Sequence, residues 1–286
     1  MILSRIDLCD LRSPEMIARS VLKQIPDLVP PVPVVSIAEA LDIHDVRIQD
    51  FDGFEGMLLT DRVRRKGSIL ANARYGANRA RFTIAHELGH FLMEWHELSA
   101  VDGFCCRTSD MQVTREDRRD LRQEAQANRF AIELLAPRDL VDPHLSNVPE
   151  LRDAQKMQDR LQISLEAAVR RLINRRDEPL AALFSKHGQI RYVIREAGFP
   201  WIKLKNGDAL PRMTAAFRAV SAGQPGYTEM AETLAAAWTS RPDADLWEQT
   251  RVGKNGTAIT LLEAGASEPE DEPAEDLAEL DMPRFR

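Results

Sequence analysis

Hydrophobic positions recur at helical spacing in two long segments and alternate with polar ones in several short segments. Residues 79–95 place Phe82, Ala85, Leu88, Leu92 and Trp95 three or four apart. Residues 117–135 place Leu121, Ala125, Ile132 and Leu135 on one face, with Asn128 between them. Both patterns predict amphipathic helices, the second stopped by Pro137. Upstream, residues 14–24 read as a helix opened by Ser13 as N-cap, and residues 36–41 as a short helix with the same kind of cap. Between them, residues 25–33 hold four prolines and read as an extended connector. Alternation at 46–51, 56–60 and 68–72 predicts three short strands of a small sheet.

Past Pro137 the pattern predicts two more helices, at 150–161 and at 164–174, the latter capped by Ser164. Strands are expected at 180–184, 190–195 and 201–204, with turn signals at His187-Gly188 and Asn206-Gly207. A helix over 229–238 and a last strand over 257–262 complete the prediction. The fold class is α+β. A mainly helical domain with a small sheet occupies 1–148, a helical pair 149–178, a small α/β domain 179–262, and an acidic tail 263–286.

The 286 residues are 44% hydrophobic and 29% charged, which suits a folded globular chain and excludes a fibrous repeat or a membrane bundle. No apolar run reaches the length of a spanning helix. The N-terminus carries charges throughout, unlike a secretory signal. The net charge of -7 equals that of residues 263–286, where nine acids face two arginines, so the rest of the chain is close to neutral. That balance gives no argument for nucleic-acid or membrane binding, and the tail's composition predicts disorder. Cys9, Cys105 and Cys106 are too few for a disulfide framework and fit a reducing cytosol. The adjacent pair Cys105 and Cys106 has no second pair at ligand spacing and reads as packing.

The chemistry lies in the segment 81–93, RFTIAHELGHFLM. His86 and His90 are four apart, so on a helix both imidazoles project from one face and reach one metal ion. Glu87, near the same face, can take a proton from the attacking water. This is the H-E-x-x-H arrangement of zinc peptidases, in which zinc lowers the pKa of the water it holds. A third protein ligand is needed. His96 stands six residues after His90, but Met93 occupies the position where a glycine would break the helix, so the helix is expected to continue and carry His96 away. Glu124 is the stronger candidate, because Glu124 and Asn128 are again four apart on a helix. One can ligate while the other bonds an imidazole from behind. Glu116 and Glu133 are weaker rivals.

The blocks FTIAHELGHFLM and EAQANRFAIELLAP together resemble the ImmA/IrrE family of metallopeptidases, as do PVPVVSIAEAL and the Arg-Phe leading into His86. The resemblance is specific over 31–137 and weaker beyond. It implies a zincin-like domain holding one zinc ion by His86, His90 and Glu124, with Glu87 as catalytic base. Some members carry an acid where this chain has Gln126, which favours Glu124 as ligand. It also implies an antirepressor that cleaves a protein partner, a helix-turn-helix transcriptional repressor of a stress or mobile-element regulon. Tyr75, in the loop before the zinc helix, is a candidate transition-state stabiliser, and His144 a candidate proton donor with no stronger support.

The helical pair has the outline of a helix-turn-helix, with Arg170, Arg171, Arg175 and Arg176 nearby. Its turn lacks glycine and the body lacks positive charge, so a docked helical hairpin with solvated arginines is the preferred reading. Direct DNA binding through it belongs to the alternative, a non-catalytic regulator with a structural metal.

Overall fold

The computed structural model describes residues 1–99, 103–107, 109–110 and 117–265. The chain divides into two units. One comprises Met1–His144 with Gln155–Ala168, the other Leu145–Ala154 with the residues from Val169 onward. The division passes through the two helices α6 (Leu151–Leu161) and α7 (Leu165–Arg175).

In the first unit, α1 (Pro14–Lys23) begins where Ser13 accepts a hydrogen bond from the Met16 backbone N–H. The second helix, α2 (Val34–Ala40), starts directly after Pro33 without a side-chain cap, and Ser36 lies inside it rather than at its start. Proline fixes the backbone ahead of the first turn, which replaces the expected serine cap. The sheet has four strands: β1 (Ile43–Gln49), β2 (Gly56–Thr60), β3 (Gly67–Asn72) and β4 (Gly103–Cys106), in the order β1-β3-β2-β4. β1 and β3 are parallel; the other neighbours are antiparallel. β4 is not expected from alternation because it is only four residues long.

Helix α3 (Ala77–Leu92) is buried over almost all of its last three turns, packed against β2, β3, α2 and α4 (Arg119–Leu135). Gly89 makes the crossing with α4 close, since a Cβ there would stand 2.9 Å from the Phe130 ring. Phe130 lies six residues after Glu124, so this approach also brings the Glu124 turn of α4 towards α3. A short helix, α5 (Arg138–Val141), follows Pro137.

The second unit is built on a six-stranded antiparallel sheet: β5 (Leu180–Lys186), β6 (Gln189–Arg195), β7 (Gly226–Tyr227), β8 (Ala231–Glu232), β9 (Leu246–Val252) and β10 (Thr257–Ala264). Its core gathers Leu183, Ile190, Phe199, Trp238, Leu246 and Leu262. α8 (Ala215–Ala222) lies on β9, opened by Thr214, whose hydroxyl accepts from the Phe217 N–H at 3.1 Å. Residues 201–204 form no strand; Ile202 makes a single bridge to Thr239. The expected helix over 229–238 shrinks to α9 (Ala235–Trp238). Its first part is drawn along β9 by bonds from the Thr228 and Thr233 backbone N–H groups to the carbonyls of Thr250 and Leu246. Here tertiary pairing overrides local propensity.

Among the described residues no helix is long and apolar enough to cross a membrane. The tail beyond 265 and Glu116 lie outside the described residues.

Candidate metal centre

His86, Glu87 and His90 come from the buried length of α3 and have no solvent exposure. Glu124 faces them from α4. His90 Nε2 lies 3.1 Å from His86 Nε2, and Glu124 places Oε2 3.2 Å from His86 Nε2 and Oε1 3.5 Å from His90 Nε2. Tetrahedral zinc with bonds of about 2.0–2.1 Å separates its ligand atoms by roughly 3.3–3.4 Å, so these donors already stand at the right spacing.

The far side of each imidazole fixes which nitrogen faces inward. Gln126 Oε1 accepts from Trp95 Nε1 at 3.0 Å and lies 2.9 Å from His96 Nε2, so that ring nitrogen is the donor. His96 Nδ1 is then an acceptor, and His90 Nδ1, 2.9 Å away, is the donor to it. His86 Nδ1 lies 2.9 Å from Asn128 Oδ1, while the Asn128 amide nitrogen donates to the Asp110 carbonyl at 3.2 Å. His86 therefore also carries its proton on Nδ1. Both Nε2 lone pairs, together with a carboxylate, point into one small buried space. Three acceptors converging in this way are repulsive unless a cation lies among them.

Burial pushes the Glu87 carboxyl up to about 7. Burial would also raise Glu124, but the two imidazoles beside it outweigh that and hold it well below the usual carboxylate range, so it is an anion that calls for positive charge next to it, a proton on an imidazole or a metal ion. Burial lowers His96 to about 2, keeping it neutral. Neither Glu87 oxygen has a hydrogen-bond partner. Glu87 lies against the backbone of Gly56, where a Cβ would collide with its carboxylate.

Two features escape the sequence reading. Helix α3 does not run on past Met93: it ends at Leu92, and His96 folds back to within 3 Å of His90. The cause is Arg64, a buried side chain with backbone φ of 49° in the turn after β2, whose guanidinium donates to the carbonyls of Met93 and His96. Second, Cys106 is not merely packing. Its sulfur and the ligand atoms of His86, His90 and Glu124 all lie within 4.8 Å of one another.

The other candidates lie elsewhere. Tyr75 is about half exposed on the turn ahead of α3, lining a surface cleft with Arg79 and Gln158. His144 sits in the turn that follows α5. Glu133 is nearly buried and pairs with Arg19 Nε at 2.8 Å.

A mixed α+β domain that buries an H-E-x-x-H helix beside a second helix bearing a carboxylate has the arrangement of a metallopeptidase. Residues 38–173 match the IrrE N-terminal-like domain of the Peptidase_M78 family. Among solved structures, a Mycobacterium tuberculosis transcriptional regulator is similar with a TM-score of 0.57 and 14% identity, over 91% of this chain and 80% of that one. At that identity the likeness is one of fold. No curated protein matches the chain.

Proposed function

We propose that the chain is a zinc-dependent endopeptidase that cleaves a dedicated protein partner, a helix-turn-helix repressor, and so acts as an antirepressor in the cytoplasm. The observation carrying this reading is the convergence of the His86 and His90 Nε2 lone pairs with Glu124 around a space that needs a cation, with an unpartnered buried carboxylate, Glu87, beside it. Zinc held by His86, His90 and Glu124 would supply the Lewis acidity that makes water a nucleophile near neutral pH. Glu87 takes the proton from that water and returns it to the departing amine. Asn128 and His96 hold the two imidazoles in the ligating tautomer. Residues 179–262, within the second unit, are the regulatory or docking part of this reading.

The test is Glu87→Gln, which keeps the ligands and removes the base. New protein N-termini are compared in cells producing the wild type or the variant. A repressor fragment found only with the wild type, at equal zinc content, supports the proposal. Identical sets of termini overturn it.

A second reading is a non-catalytic regulator with a structural metal. Cys106 favours it, since a fourth protein donor is typical of structural zinc. The name of the similar solved structure points the same way. Under this reading Glu87→Gln leaves function intact, and any DNA binding through Arg170 and Arg171 weakens steeply with salt.

A further inference from the structure

We propose that Cys106 is a latch: its thiolate fills the fourth ligand position of the centre, so that the protein holds its metal in a closed form which opens only when the end of β4 withdraws. The inference rests on the zinc site proposed above and concerns its regulation.

Cys106 is the last residue of β4 and is 2% exposed. It pairs in register with Gly56 of β2, and its carbonyl accepts from the Glu55 N–H at 2.9 Å. These bonds aim its side chain into the centre while Cys105, one residue earlier, points to the opposite face and is exposed. Only one cysteine of the adjacent pair can therefore reach the ligands. Beside it the carboxylate of Glu87, fully buried, faces the same space. A buried thiol among two imidazole lone pairs and two carboxylates has no apolar packing role that would require those neighbours. It completes a set of four donors.

Catalytic zinc sites keep one position open for water, whereas four protein donors close the shell. The sulfur and the attacking water then compete for one place, next to Glu87. A metal-coordinating thiol is deprotonated outright, so the sulfur would enter the shell as a thiolate. β4 pairs with β2 alone among the described strands and spans only four residues, so its end can leave without dismantling the sheet.

Cobalt(II) substituted into the full chain tests this directly. The wild type is expected to show a sulfur-to-cobalt charge-transfer band in the near ultraviolet. The band should persist in Cys105→Ser and vanish in Cys106→Ser and Cys106→Ala, while all four proteins hold one equivalent of metal. Added azide should leave the visible cobalt spectrum of the wild type unchanged and shift that of Cys106→Ala, where the position is open. A wild-type spectrum with one bound cobalt and no sulfur band overturns the latch and leaves the three-ligand peptidase site standing. A sulfur band that survives Cys106→Ala also overturns it. Failure of the wild type to bind any metal overturns both the latch and the peptidase reading.

Discussion

Asn128 holds His86 from behind: the amide oxygen stands 2.9 Å from the ring Nδ1, and the amide nitrogen is committed to the Asp110 carbonyl. The amide thus cannot turn over without losing both bonds, and the imidazole must present Nε2 to the centre. Replacing Asn128 by Ala removes this constraint and leaves the ligands in place. Zinc affinity should fall by about 10–100-fold. Competition with a chromophoric chelator measures the change, with circular dichroism showing the helices retained.

Removing the metal should weaken the first unit, because three acceptors are left facing one another in a buried space. A ligand present at about 100 times its Kd contributes roughly 2.7 kcal/mol to stability. Dialysis against a chelator should lower the Tm, and one equivalent of zinc should restore it. An unchanged Tm would mean that the centre binds no metal.

Gly103 opens β4 with φ of +149°, and a Cβ on it would run into the Leu58 carbonyl of β2. Backbone cannot yield as a side-chain tip can. Gly103→Ala should cost about 2 kcal/mol or more and loosen the β2–β4 pairing. Thermal melting measures the cost, and hydrogen exchange at the Glu55 amide, bonded to Cys106 O, reports the pairing.

Glu248 of β9 is 1% exposed and accepts from the Ala215 N–H at the start of α8. Burial raises its pKa above the ordinary 4.5. The folded state therefore holds the proton more tightly than the unfolded one. Its stabilising effect is complete below 4.5 and is lost as pH rises through the folded value. Wild-type stability relative to Glu248→Gln should decline as pH climbs from 4.5 towards neutrality, followed by urea unfolding of both proteins. A difference independent of pH would contradict this.

The positions of α3 and α4 were legible because their information is local. The four-residue spacings of His86 with His90 and of Glu124 with Asn128 place each pair on one helical face whatever the rest of the chain does. Where geometry depends on distant residues, the sequence is silent. Met93 has good helical propensity, yet Arg64, from a turn far upstream, draws the chain out of the helix and returns His96. Cys106 reaches the centre through a strand register with Gly56, which no spacing of cysteines records. β9 is missed for another reason. It buries Glu248 and Thr250 on one face and Gln249 on the other, so neither face reads as apolar.

The turn held by Arg64 bears on how far the centre can be transplanted. A two-helix fragment taken from 77–135 would carry His86, Glu87, His90, His96 and Glu124 and would look complete on paper. It would leave behind the guanidinium, which belongs to the sheet. Without that guanidinium the Met93 carbonyl would keep only its bond from the His96 N–H, the His96 carbonyl would lose its arginine donor, and the turn that returns the ring behind His90 would be less firmly held. The histidine pair is written in the helix, but its aim is inherited from the sheet. A designer grafting this centre onto a new scaffold must bring the arginine along.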